Sequence, residues 1–373
     1  MADLDDRVFS RARMRNGPRR SNHATACARE TGHVACVPPS GSCRRLPPRS
    51  TAVFRARRQL PDPARAEESI PGIMRSPRTW RDSTAAPADE RRSGTARNRD
   101  AVRITRQGNT MSLPNNDVVQ RNFSMSGVTI VVTGAGSGLG RQAALTLAGA
   151  GAEVALLGRR AGPLKETEDI VTQQGGVARH IPVNITDRDA VALALDEIQC
   201  TMAPLWALVN NAGTGGRAAL IDVDEQLFER VFDVNTKAAL FMATAFVKRL
   251  IADALPGRII NICSLAARSH PAGLSIYGAS KAALEHLTRS MAHEWADYGI
   301  NVNAINPGYI ETDINRAMFQ TDAGKKVIEG LPRRRLGTPE ALDGALLLLA
   351  SPANRFMTGA TLSVDDGQRF VMG

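Results

Sequence analysis

Thr133-Gly134-Ala135-Gly136-Ser137-Gly138-Leu139-Gly140 follows the β-branched run Val128–Val132 and leads into Arg141–Ala150, whose apolar residues recur at helical spacing. A strand, a glycine turn and a helix in that order predict a phosphate-binding loop. Glycine lets the backbone turn sharply and come close to a pyrophosphate, which the amide N–H groups at the positive end of the helix can hold. The spacing Gly134, Gly138, Gly140 departs from GxGxxG, since position 139 is Leu. Working outward, Glu153–Leu157, His180–Val183, Leu205–Val209, Arg258–Cys263, Asn301–Ile305 and Thr361–Val364 read as further strands. Stretches 163–174, 187–200, 225–253, 276–297 and 339–350 read as helices between them. This alternation predicts an α/β fold with a mostly parallel sheet covered on both faces, with ligands at the carboxyl ends of its strands.

The rest of the composition bounds the reading. The chain has 373 residues and a formal charge of +10, which taken whole would suggest a polyanion-binding protein. Residues 1–110 hold 23 Arg, no Lys and 11 acids, a charge of +12, leaving 24 basic and 26 acidic residues, or −2, for 111–373. The basic balance therefore belongs to the tail. That tail is rich in Arg, Pro, Ser and Ala, lacks periodicity and cannot bury enough apolar surface to offset its ordering entropy. We expect a disordered N-terminal extension over 1–122 without catalytic role, followed by one domain at 123–373; Met111 or Met125 is expected as an alternative start. Asp3, Asp5 and Asp6 argue against an organelle presequence, and scattered arginines among acids, without lysine, argue against nucleic acid. Cys27, Cys36, Cys43, Cys200 and Cys263 are odd in number and form no CxxC or Cys/His spacing. With no apolar run of about 18 residues, a soluble cytoplasmic protein without membrane partner, disulfide or metal site is expected.

Two further constellations carry chemistry. Where a carboxylate would hold the ribose 2′-hydroxyl of NAD, the second strand ends in Leu157-Gly158-Arg159-Arg160. Arg159 offers a planar fork suited to a 2′-phosphate, so NADP(H) is preferred over NAD(H). Tyr277 and Lys281 stand i, i+4 on one helix face. An ammonium beside a phenol favours the phenolate and brings a proton donor that ordinarily titrates near ~10 toward neutral pH. Ser264, at the end of a strand, can donate a hydroxyl hydrogen bond to a substrate oxygen beside that phenol.

Together these residues resemble the short-chain dehydrogenase/reductase family, close to its 3-oxoacyl-carrier-protein reductase-like members, over about residues 127–368. The resemblance rests on TGxxxGxG at 133–140, Asn210-Asn211-Ala212-Gly213, Asn235 in Val234-Asn235-Thr236, Ser264 ahead of the YxxxK of Tyr277 and Lys281, and Pro307-Gly308 followed by Thr312. It implies a three-layer doubly wound Rossmann sheet. Tyr277 would be the acid in reduction and base in oxidation, Ser264 would polarise the carbonyl, Lys281 would lower the tyrosine pKa and hold the nicotinamide ribose, and Asn235 would anchor a water of the proton relay. Gly134, Ser137, Gly138, Leu139 and Gly140, with Arg159, Asn184, Asn210, Asn211, Ala212, Gly213, Pro307 and Gly308, would bind cofactor. Ile310 and Thr312 would fix the nicotinamide carboxamide. Asn184 stands where family members often have Asp, and the stretch Val364-Asp365-Asp366-Gly367 has Asp where many have Gly.

The function expected is hydride transfer between NADP(H) and a small-molecule carbonyl/secondary alcohol pair, with a 3-oxoacyl thioester among the candidates. An NAD-linked alcohol or hydroxysteroid dehydrogenase, and a non-enzymatic nucleotide-sensing or nucleic-acid-binding protein, are the alternatives. His270 and Tyr309 are expected near the substrate opening, as a solvated loop histidine and a packed tyrosine, with substrate contact as the alternative; Glu311–Arg335 reads as a mobile substrate loop, and Arg333-Arg334-Arg335 with Lys325 and Lys326 as a solvated charge run beside it, with carrier phosphates as the alternative. The long helices 225–253 and 276–297 resemble those through which family members form homotetramers.

Overall fold

Five consecutive β-branched residues, Thr129–Thr133, can be buried on both faces only inside a covered sheet, and the computed structural model places them there. The structure describes residues 117–371; the expected extension over 1–110 and the start at Met111 lie outside them. In chain order the helices and strands begin α1 (Asp117–Phe123), β1 (Thr129–Thr133), α2 (Gly138–Gly149), β2 (Glu153–Gly158), α3 (Ala161–Gln173), β3 (Val177–Pro182), α4 (Arg188–Thr201) and β4 (Leu205–Asn210). They continue with α5 (Glu225–Phe232), α6 (Ala239–Ala252), β5 (Gly257–Ile262), α7 (Ser275–Glu294), β6 (Ile300–Pro307), α8 (Arg316–Phe319), α9 (Asp322–Glu329), α10 (Asp343–Ala350) and β7 (Thr361–Val364). The strands form one seven-stranded parallel sheet in the order β3-β2-β1-β4-β5-β6-β7. The order reverses between β1 and β4, and a crevice opens at such a point.

Two apolar layers hold the helices to the sheet. Because successive strand side chains alternate, Ile130 and Val132 pack with Leu147 of α2, Leu164 of α3 and Leu346 of α10. Val131 points the other way, toward Leu195 of α4, Phe246 and Leu250 of α6 and Met291 of α7. Each fully buried Leu or Phe contributes about 1.5–3 kcal/mol.

Several boundaries differ from expectation, each for a local reason. Helix α1 crosses the expected 122/123 boundary; its Asn122 carbonyl accepts from Ala353 N–H at 2.9 Å, and Met125, the other alternative start, is buried in the core. Strand β3 starts at Val177 rather than His180 because it is an edge strand whose exposed residues hide any alternation. The single helix expected over 225–253 is three segments, with a π-helical stretch at Asp233–Ala238 between α5 and α6. The segment 276–297 is α7 followed by a 3₁₀ turn at Ala296–Tyr298, and 339–350 is a 3₁₀ turn at Pro339–Leu342 followed by α10. The stretch expected as a loop, Glu311–Arg335, contains α8 and α9. Asp366 takes φ +50°, a conformation that favours glycine, while its carboxylate pairs with Arg333 and Arg335.

Candidate active site

The crevice at the β1/β4 reversal has a volume of about 780 Å³. Its floor is built from the glycine turn. Gly134 and Gly138 adopt φ +68° and +52°, which other residues rarely take. A Cβ on Gly134 would lie 3.0 Å from Asn211 Nδ2, one on Gly138 would lie 3.2 Å from Thr312 Cγ2, and one on Gly140 would lie 2.2 Å from the Gly134 carbonyl oxygen. Gly140 thus packs under the turn, whereas Ser137, Gly138 and Leu139 line the crevice. Ser137 stands at the N-cap of α2 without capping it by its side chain, so the first amides of the helix are open to an anion.

Thr133 braces this floor, a role the sequence reading missed. Its hydroxyl donates to the Val209 carbonyl at 3.3 Å and accepts from the Asn211 and Ala212 amides, each at 3.0 Å. Asn211 Nδ2 returns the contact, donating to the carbonyls of Thr133 at 3.0 Å and Gly134 at 3.3 Å. Asn210, by contrast, is buried and donates to Asn261 and to the Ala239 carbonyl, so it supports the wall rather than the cavity surface. Ala212, Gly213, Arg159, Asn184, Pro307, Gly308, Ile310 and Thr312 all line the crevice. Asn315 ties the last of these together, donating to the Ile310 carbonyl and accepting from the Thr312 amide, both at 2.8 Å.

At the other end stand Ser264, Tyr277 and Lys281, all lining the same crevice. Gly278 makes the approach possible: a Cβ there would be 2.6 Å from the Ala266 carbonyl oxygen, so α7 can press against the turn that follows Ser264. The Ser264 hydroxyl accepts from Ala266 N–H at 3.1 Å and stands beside the Tyr277 phenol, close enough to act on its acidity. Burial pushes the phenol above the usual tyrosine range, and the Ser264 hydroxyl pulls it back. Lys281, 3% exposed, donates from Nζ to the Ile262 carbonyl at 2.7 Å, and burial lowers its pKa. The ammonium of Lys281 is turned to a backbone carbonyl, and Ser264 is what opposes burial at the phenol.

Asn235, fully buried in the π-helical stretch, does not reach the cavity surface. Its amide donates to the Thr214 carbonyl and to Ser280 Oγ, both at 3.0 Å, and its oxygen accepts from Thr214 N–H at 2.7 Å. A side chain so engaged fastens the wall beside Lys281.

The residues named at the substrate opening play different parts. Tyr309 lines it, edge-on to Phe319 at 5.6 Å, with the positive charge of Arg217 acting on its phenol. His270 is exposed and does not line the cavity, and Arg333 and Arg335 are turned to Asp366. The charges that do line the crevice are Arg159, Arg160, Arg230 and Lys281, with no carboxylate among the lining residues.

A short chain dehydrogenase family model matches residues 128–323. The chain belongs to that family. It is 34% identical over 246 residues to the gluconate 5-dehydrogenase of Gluconobacter oxydans, a match covering 66% of this chain and 96% of the relative. It is 35% identical over 250 residues to the L-tagatose-forming galactitol 2-dehydrogenase of Cereibacter sphaeroides, covering 66% and 96%. Among solved structures, gluconate 5-dehydrogenase from Burkholderia cenocepacia in complex with NADP and tartrate matches with a TM-score of 0.64 at 33% identity, covering 67% of this chain and 98% of that one. This short-chain dehydrogenase is an oxidoreductase acting on CH–OH groups. The narrower resemblance to 3-oxoacyl-carrier-protein reductases finds no support in these relatives, whose names point to sugar acids and a sugar alcohol. Among the described residues no helix is long and apolar enough to cross a membrane.

Proposed function

We propose that this enzyme transfers hydride between NADP(H) and the carbonyl/secondary alcohol pair of a polyhydroxy acid. The observation that carries the reading is the charge of the crevice: four cationic side chains line it and no carboxylate does, which suits an anionic cofactor and an anionic substrate. The cradle fits the cofactor, because at Gly134, Gly138 and Gly140 a Cβ would fill space the diphosphate turn needs kept clear. Ser137 and the first amides of α2 would hold the diphosphate, Arg159 the 2′-phosphate, Asn184 the adenine, Asn211, Ala212 and Gly213 the floor, Lys281 the nicotinamide ribose, and Pro307, Gly308, Ile310 and Thr312 the carboxamide side. The tartrate and NADP of the Burkholderia relative support the same pairing of ligand types.

NADP(H), when bound, supplies or accepts the hydride. The chain handles the proton. Tyr277 Oη gives it to the developing alkoxide in reduction and takes it in oxidation, while Ser264 Oγ donates a hydrogen bond to the same oxygen. Arg217, outside the four cations that line the crevice but near enough to Tyr309 for its charge to act on that phenol, would meet the substrate carboxylate. The test is a panel of sugar acids, neutral polyols and 3-oxoacyl thioesters assayed with NADP(H) and NAD(H). Acid substrates with NADP(H) should give the highest kcat/KM, and Arg217→Ala should raise KM for acids about tenfold, the worth of one charge-assisted hydrogen bond, with neutral polyols unaffected. Equal turnover of acids and polyols by the parent enzyme would refute the substrate class.

A further inference from the structure

The face of α7 that carries Tyr277 and Lys281 continues at the next i, i+4 position with Glu285, which is 4% exposed and takes no part in the proposed proton transfer. A buried carboxylate is costly unless fully bonded, and this one is. Its oxygens accept from Arg268 Nε at 3.0 and 3.2 Å and from Arg268 Nη2, from Arg289 Nη1 at 3.1 Å, and from Asn306 Nδ2 at 3.0 Å. Burial alone would push its acidity down; the two guanidiniums and the Asn306 amide outweigh burial and keep the carboxyl below its usual range, so it is an anion.

That anion decides how Asn306 points. A carboxylate can only accept, so Asn306 must present its NH₂ to Glu285 and its carbonyl oxygen to the other side. There Oδ1 accepts from Ser264 N–H at 3.2 Å. Asn306 is itself fully buried, at the end of β6. Arg268, also bound to Glu285, lies on the far side of the turn that follows Ser264. Glu285 thus grips the chain both through the amide of Ser264 and through the residue that closes its turn.

We propose that Glu285 and Asn306 are positioning residues that hold Ser264 against the Tyr277 phenol for proton transfer. The inference rests on the reading that Ser264 and Tyr277 carry the proton. Neither residue touches the crevice, so their loss should leave cofactor binding intact while loosening the Ser264 contact. The Ser264 hydroxyl is what offsets burial at the phenol, so in the oxidative direction, where Tyr277 must be deprotonated, the pH midpoint of kcat should move upward. The other groups facing Tyr277 are Cys263, whose burial pushes its thiol up to about 12, and Lys281.

The experiment compares the parent with Glu285→Gln, Asn306→Leu and Ser264→Ala, measuring NADPH affinity by fluorescence and kcat and KM for alcohol oxidation across pH. In both Glu285→Gln and Asn306→Leu we expect kcat to fall about 10- to 100-fold, within the range of general acid–base contributions, NADPH affinity to stay close to the parent's, and the midpoint to rise. Asn306→Leu leaves every charge in place, so a moved midpoint in it reads the Ser264 contact rather than Lys281, and it decides the matter should Glu285→Gln fail to fold. Parent-like kcat in Asn306→Leu, or a lowered kcat with an unmoved midpoint, overturns the positioning role when Ser264→Ala is itself impaired. Full activity in Ser264→Ala would instead overturn the proton-transfer reading, and this inference with it.

Discussion

Tyr277→Phe folds, binds NADPH with the parent's affinity and turns over about a thousandfold more slowly. The expectation follows from what one oxygen atom does in the crevice. The phenol ring is placed by the close packing of α7 on the turn at Ala266, which Gly278 permits, and phenylalanine preserves that packing. The Ser264 hydroxyl loses a neighbouring hydroxyl but keeps its Ala266 bond. What disappears is the only hydroxyl proposed to exchange a proton with substrate, and a positioned acid or base is worth roughly 10²–10⁴ in rate. The cradle glycines, Ser137 and Asn211 are untouched, so cofactor affinity is the internal control. Single-turnover hydride transfer followed at the reduced-nicotinamide absorbance checks it. A rate within tenfold of the parent would remove Tyr277 from the mechanism.

A second large effect is expected at Gly140. Its Cβ in an alanine variant would sit 2.2 Å from the Gly134 oxygen, 2.5 Å from Asn211 Nδ2 and 2.8 Å from the Gly134 carbonyl carbon. None of these is the tip of a flexible side chain free to swing aside. The Gly134 turn must move, and with it the Thr133–Asn211 brace that fixes the floor. Overpacking of this kind costs about 1–3 kcal/mol, and because the displaced atoms form the diphosphate seat, NADPH affinity should fall about a hundredfold. Gly149→Ala, on the same helix with no atom within 4 Å of the added carbon, is the matched comparison. It should be neutral or stabilising by up to about 1 kcal/mol. Thermal unfolding with and without NADPH measures both. If the two variants behave alike, the cradle geometry at Gly140 is wrong.

How much of this was legible in the chain depended on whether a feature is local. The strand–glycine–helix passage at 129–149 could be read directly, because β-branched residues, positive-φ glycines and helical spacing each leave their mark within a few positions. The i, i+4 pairing of Tyr277 with Lys281 is equally local, and the structure brings both to Ser264. Edge strand β3 was misplaced at its start, since Arg179 and His180 face a setting without strong sidedness. The π-helical stretch at 233–238 was invisible: one extra residue in a turn leaves hydrophobic periodicity almost unchanged, and its cause, Asn235 reaching Thr214 and Ser280, lies in residues remote along the chain. Asn306 and Glu285 escaped for the same reason. Neither has a recognisable neighbour in sequence, and their meaning arises only where β6, α7 and the Ser264 turn meet. The direction of Lys281 was likewise undecidable, because an ammonium beside a phenol in sequence can still turn its protons to a main-chain oxygen.

The methyl group of Thr312 lies directly above Gly138, so the segment that borders the substrate opening also roofs the turn on which the diphosphate would rest. A dinucleotide seated on that turn would have to pass Thr312 to leave, and a substrate in the opening would stand in the same path. Traffic through the crevice should therefore be compulsory in order, with the dinucleotide first in and last out. Product-inhibition patterns check this: oxidised and reduced dinucleotide should compete with each other, whereas competition between the carbonyl product and the oxidised dinucleotide would show that either ligand comes and goes independently.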